Sequence, residues 1–255
     1  MRTAEQWADY VFGLPALTQF AIFAVHGLVV FGLSFGLLML FNTRSKRIAQ
    51  LMPVGPFFAA ISMVLALFLA FHAADIWSHK RDAERAFLQA RSAIRSFSQL
   101  TGPGQLNVPE AAAAVRRYVV AVKDEEWTKH RNQKASDKAE EALRDLQAVA
   151  VRIARDTPGP SAAQAFALVD DIAKTRSDRL WIGQNHTEFT TWFAVLLIGL
   201  MTHLAVASVH LDRPRAGAMA LALLAATTTI AYWSLGVVDD PYRHLDKLDP
   251  MTWLN

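Results

Sequence analysis

Four stretches of this chain, residues 11–41, 53–74, 189–211 and 216–238, contain no Lys, Arg, Asp or Glu. A helix needs about 20 apolar residues to cross the ~30 Å hydrocarbon layer of a bilayer, and each stretch supplies them. Over all 255 residues only 19% are charged and mean hydropathy is +0.18, whereas soluble domains average about 25% charged. The missing charge is thus concentrated in four places. We expect four transmembrane helices in a lipid bilayer.

The charged residues gather between the second and third stretches. There Ala83, Phe87, Ala90, Ile94 and Phe97 recur at spacings of four, three, four and three, a seam for packing against other helices. No Gly or Pro interrupts residues 57–101. The second span is therefore expected to continue out of the membrane as one helix, on the order of 65 Å long at 1.5 Å per residue. Gly102-Pro103-Gly104 ends it. Asn107 and Pro109 are expected to cap and open the next helix, with Val115, Tyr118, Val119 and Val122 inward. Ala139, Leu143, Leu146, Ala150 and Ile153 mark a third helix. Ser161 is expected to cap a fourth, with Phe166, Val169, Ile172 and Leu180 inward. Phe87, Ile94, Leu143, Leu146 and Phe166 are the expected core.

The fold class is an all-α integral membrane protein: four spans with a four-helix soluble domain inserted between spans two and three. Residues 1–75 hold an interfacial segment and two spans, 76–187 the helical domain, 188–238 the other two spans, and 239–255 a tail. The tail carries Tyr242, Leu245, Leu248, Met251 and Trp253 among charges, a strip suited to lie on the membrane or on the helical domain. Arg2, Glu5 and Asp9 precede the first span without a cleavable signal pattern, so that span is expected to stay as an anchor. Gly32 and Gly36 are spaced for close helix approach, and also as glycines common in any span. Trp192, Tyr232 and Trp233 are expected to face outward as belt aromatics.

Chemistry is sparse. With no Cys, disulfides, thiolate metal sites and thiol nucleophiles are excluded. A net charge of +3 is too small to suggest nucleic acid. No constellation for nucleophilic, hydrolytic or phosphate chemistry stands out, so no enzyme and no cofactor are expected. His26, His72, His203 and His210 lie in or at the ends of spans, where ionisable residues are functional candidates. His26 and His203 are also the pair a bis-histidine haem would need. His72 and Asp75, one turn apart, could make a polar ring at a pore mouth. Asp239 and Asp240 are candidate Ca²⁺ ligands, although two carboxylates fall short of the six to eight oxygens Ca²⁺ takes; a helix end facing water accounts for them equally. Glu125, Glu126 and Trp127 read as a structural corner, with Trp127 packed and the acids meeting Lys or Arg from neighbouring helices.

Three patches carry a family resemblance. The first runs from Pro56-Phe57-Phe58 through Phe71 to Ala74-Asp75-Ile76-Trp77. The second is Tyr118-Val119-Val120-Ala121-Val122 leading to Glu125-Glu126-Trp127. The third is Asp240-Pro241-Tyr242 after the last span. In these, and in the order of its elements, the chain resembles the bacterial bestrophin-like domain family, and more distantly the bestrophin chloride channels. The resemblance implies a homo-oligomer, a pentamer in bestrophins, conducting small anions through a neck formed by the second span. The matching face here is Ala60, Val64 and Phe68, or Met63 and Leu67 if the alignment slips by one, with His72 added as pore-lining through its ring with Asp75. It also implies an inner-membrane protein with its helical domain and both termini in the cytoplasm. The five basic residues of the two short loops, Arg44, Lys46, Arg47, Arg213 and Arg215, favour the opposite sidedness. A different class of function stays open beside the channel: a membrane-anchored sensor or scaffold whose helical domain binds a ligand or protein.

Overall fold

The protein is described by a computed structural model over residues 10–44, 55–185, 189–243 and 248–254. Seven α-helices follow in order among the described residues: α1 (Ala16–Arg44), α2 (Gly55–Thr101), α3 (Pro109–Ala121), α4 (Asp137–Asp156), α5 (Pro160–Gln184), α6 (Phe189–Val209) and α7 (Pro214–Val238). A π-helical segment, Val122–Thr128, prolongs α3, and a 3₁₀ turn, Pro250–Leu254, closes the chain. The described residues contain no strand. Among the described residues four helices are long and apolar enough to cross a membrane, and the protein is all-α and membrane-embedded.

The second span and the helix after it are continuous, as the lack of Gly and Pro predicts: α2 runs unbroken for 47 residues and stops at Thr101, just before Gly102-Pro103-Gly104. The helix starts differ from expectation. Asn107 does not cap α3; it takes a left-handed φ of 51° and Val108 occupies the cap without a side-chain bond. Gly159, not Ser161, precedes α5. Both helices open on Pro, which has no N–H to satisfy and a φ already set for a helix. Only α4 has a side-chain cap of the usual kind among these three, Ser136 accepting from the Ala139 amide at 3.5 Å.

The chain divides into two compact units, Met1–Trp77 with Thr187–Asp240, and Ser78–His186 with Pro241–Asn255. In the first unit α1 packs chiefly along α7, and both meet α6. Gly27 makes the close approach: a Cβ there would run into the Thr229 hydroxyl, while Gly32 and Gly36 face open space. Trp192 and Tyr232 do not face outward. They are buried with Phe23, Val195 and Leu235, and the Tyr232 hydroxyl donates to the Val195 carbonyl at 3.4 Å. Trp233 is half-buried and donates to the Ala16 carbonyl at 2.9 Å.

In the second unit the α2 seam of Ala83, Phe87, Ala90, Ile94 and Phe97 is buried throughout. It shares one core with Val115, Tyr118 and Val119 of α3, with Leu143, Leu146 and Ile153 of α4, and with Val169 and Ile172 of α5. Phe166 is the exception to the expected core, at 44% exposure. The inward face of α5 is instead Ala162, Ala165, Val169, Ile172, Thr175, Arg176 and Arg179. Small Ala165 turns in and its large neighbour turns out. Tyr242 and Trp253 of the tail are buried in this core, with Leu248 and Met251 packed against it. Leu245 lies outside the described residues.

Candidate functional site

Two arrangements bring together residues singled out in the sequence. The first is a bare face on the membrane part of α2. Leu65, His72 and Ile76, spaced seven and four apart, are buried in the first unit. His72 is 2% exposed, and its ring stands edge-on to Trp192 with centroids 4.5 Å apart. The other side of the same helix presents Ala60, Met63, Val64, Leu67, Phe68 and Phe71, all exposed. Ala60, Val64 and Phe68 therefore share a free face. His72 is turned away from it into the fold. Sequence reasoning missed Phe71, the most exposed large side chain on that face at 71%. The signal was there, in the four-then-three spacing of Val64, Phe68 and Phe71. The two registers considered for the neck, Ala60/Val64/Phe68 and Met63/Leu67, both lie on this face.

The second arrangement is a buried ionic cluster in the helical unit. The π-helical turn Val122–Thr128 holds more residues per turn than an α-helix. It turns consecutive side chains, Glu126 and Trp127, into the core while Glu125 stays at the rim. One oxygen of Glu126 accepts from Arg176 Nε at 3.0 Å, Arg176 Nη2 at 2.7 Å and the Ser136 amide at 3.1 Å. Its other oxygen faces Arg179 Nη2 at 3.7 Å. Glu126 and Arg179 are both fully buried. Arg179 donates to Asn132 Oδ1 at 2.9 Å, and its guanidinium lies 5.5 Å from the Trp127 ring and 5.2 Å from the Trp253 ring. Both distances suit a cation–π contact. Arg176 also pairs with Glu140, so two cations meet two carboxylates. Burial works against the Arg176 charge, but its bonds to Glu126 and Glu140 outweigh it and hold its pKa above the ordinary value. Burial lifts the Tyr118 phenol, against the opposing pull of the Arg179 guanidinium.

Glu125 meets Lys138 at 2.5 Å and Lys129 at 3.2 Å. Hydrogen bonds from these two amines depress its carboxyl pKa and, in return, raise that of Lys138. Asn132, with φ 58°, closes the corner: its amide donates to the Glu126 carbonyl at 2.7 Å. Gly183 of α5 lies directly beneath, where a Cβ would overlap the Asn132 carbonyl and its carbon. Backbone held by such bonds cannot move aside cheaply. Gly183→Ala is expected to destabilise the domain by about 1–3 kcal/mol, the usual cost of overpacking, read as a lowered melting temperature of the purified protein. An unchanged melting temperature would show that the approach is looser than described.

The remaining candidates stand apart. Asp239 and Asp240 are buried at the end of α7, so they do not form a helix end facing water. Among the described residues no three His, Asp or Glu gather to hold a metal ion, and two carboxylates alone do not supply a Ca²⁺ cage. Trp77 is exposed at 54%, and Pro241 is half-buried beside buried Tyr242. His203 Nδ1 lies 2.8 Å from the Gly199 carbonyl and His26 stands edge-on to Tyr232.

A family model described as the bestrophin-like domain matches residues 26–244. Solved structures of a bacterial bestrophin homolog from Klebsiella pneumoniae share the fold. One single-substitution variant superposes with a TM-score of 0.67 at 13% identity, covering 95% of this chain and 95% of that one. Another structure of the homolog gives 0.65 at 14% identity, covering 89% and 94%. A structure described as a membrane protein gives 0.64 at 15% identity, covering 85% and 89%. No curated protein sequence matches the chain. The family model spans most of the chain, including both the bare α2 face and the buried corner, and the chain belongs to the bestrophin-like family.

Proposed function

We propose that copies of this chain assemble into an ion channel in which α2 from each copy surrounds a shared axis. One observation carries this reading: α2 leaves a whole apolar face, Ala60 to Phe71, uncovered by the chain's own helices while its opposite face is packed. Rings of apolar side chains narrow a pore and gate it by dewetting. Membership of the bestrophin-like family supports the same reading, as does the fold shared with a bestrophin homolog. The finer parts rest on the likeness to bestrophin channels: a pentamer, small anions as the permeant ions, and an inner membrane with the helical domain in the cytoplasm. The apolar face bears no charge of its own.

Replacing Phe68 or Val64 by Ala is expected to widen and wet the constriction and to raise ion flux into reconstituted vesicles several-fold. Absence of flux with wild type and both variants would overturn the channel. The sensor or scaffold reading keeps one observation in its favour, a polar cleft between α2 and α5 lined by Gln89, Ser92, Ser96, Asp171, Lys174 and Asp178. The oligomeric state in detergent separates the two, since a pore needs a ring of copies and a sensor does not.

A further inference from the structure

We propose that Asp75 sets the charge preference of the pore, contributing one carboxylate per copy to a ring at the mouth of the apolar constriction. This rests on the α2-lined channel proposed above. Val64, Phe68, Phe71 and Asp75 follow one another at spacings of four, three and four, which keeps them on one face of a helix. All four are exposed on the chain. Residues 53–74 contain no charged group, so Asp75 is the first charge met on leaving the constriction.

The neighbouring charges do not cancel it. Asp75 enters no salt bridge among the described residues. His72, with which it interacts electrostatically, is turned into the fold against Trp192. His79, one turn on, forms no ion pair with Asp75 among the described residues, and Lys80 and Arg81, at 3.6 residues per turn, lie about a third of a turn or more round the helix. Asp82 returns to the stripe seven residues after Asp75, and there Arg85 pairs with it at 3.2 Å. Asp75 is thus the uncompensated charge on the face that continues the constriction.

Symmetry multiplies the effect. In an oligomer with α2 around the axis, each copy adds one carboxylate at the same height. Rings of Asp or Glu favour cations at a pore mouth. Their reach is about one Debye length, ~8 Å at physiological ionic strength, which matches a mouth and not a wide vestibule. Low-dielectric walls next to the ring strengthen its field. Whatever the ions carried, Asp75 holds the anion-to-cation permeability ratio below the value the rest of the pore would give.

Reversal potentials across bilayers holding the full-length protein under a KCl gradient test this. Asp75→Asn is expected to raise the anion-to-cation permeability ratio by about fivefold, the effect of one unit-charge contact at 4 Å in water. Asp75→Glu should keep the wild-type ratio, and the difference should shrink in high salt. An Asp75→Asn channel that conducts with an unshifted reversal potential would overturn the role of Asp75 and leave the channel standing. A shift that Asp75→Glu shares would overturn the charge ring, because geometry and not charge would then be responsible. Loss of current in wild type itself would remove the channel, and this proposal with it.

Discussion

Replacing Glu126 by Ala is expected to cost the helical domain about 3–5 kcal/mol, the usual penalty for breaking a buried ion pair from one side. The change would leave Arg179, fully buried, and Arg176, nearly so, without the carboxylate that holds both. Glu140 could still reach Arg176, but among the described residues it forms no ion pair with Arg179. Three hydrogen bonds to one Glu126 oxygen would be lost together. One of them comes from the Ser136 amide, which leads into α4. Glu126→Gln keeps an acceptor of the same shape and loses only the charge, so it should fall between wild type and Ala. Arg179→Met alone should cost a comparable amount. The double variant Glu126→Gln with Arg179→Met should cost less than the sum, since neither then leaves a buried charge behind. Melting temperatures of the purified variants, with hydrogen exchange over α3 to α5, provide the check. A Glu126→Ala protein within about 1 kcal/mol of wild type would mean that water reaches this cluster.

The sequence made some of this legible and hid the rest for physical reasons. In the helical domain, water marks one side of every helix. Polar residues take that side, so the four-three alternation of Ala83, Phe87, Ala90, Ile94 and Phe97 revealed the buried seam directly. On α5 the same reasoning found Val169 and Ile172, but the rest of the inner face escaped it because that part is built of alanines, Thr175 and two arginines. A buried Arg becomes interpretable only when its partner is known, and Glu126 is fifty residues away. Phe166 was the obvious apolar residue on α5 and is exposed. In the spans the difficulty is different. Lipid and protein interior are equally apolar, so hydrophobicity identifies a span without saying which way it faces. Trp192 and Tyr232 read as belt aromatics and are interior. The stripe on α2 could be named as a candidate, but its freedom from intrachain contact needed the fold. His72 was grouped with that stripe on proximity to Asp75, and helical periodicity carries it to the packed side.

Truncating Trp253 to Ala is expected to be the other severe change, at about 3–5 kcal/mol for loss of a buried large aromatic. By sequence this residue belongs to a strip suited to lie on the membrane or on the helical domain. The structure makes it part of the core. Trp253 is 1% exposed, with its ring 5.4 Å from Phe87 and 6.0 Å from Trp127. It also covers one side of the Arg179 guanidinium. The 3₁₀ turn that carries it is set by Asp249, whose carboxylate accepts from the Met251 amide at 2.9 Å and whose carbonyl accepts from the Thr252 hydroxyl at 2.7 Å. The same carboxylate pairs with Lys123 at 3.4 Å. Removing the indole therefore opens a cavity, strips an aromatic face from a buried cation and releases the turn. Trp253→Phe should recover a good part of the loss, because it restores a ring over Arg179. Lys123→Ala, which removes only a half-exposed ion pair, should cost no more than about 1 kcal/mol. Protease sensitivity of residues 248–254 should rise in Trp253→Ala together with faster amide exchange in α5. If the tail becomes sensitive while α5 keeps its protection, Trp253 is a surface clasp and the aromatic cover over Arg179 contributes little to the fold.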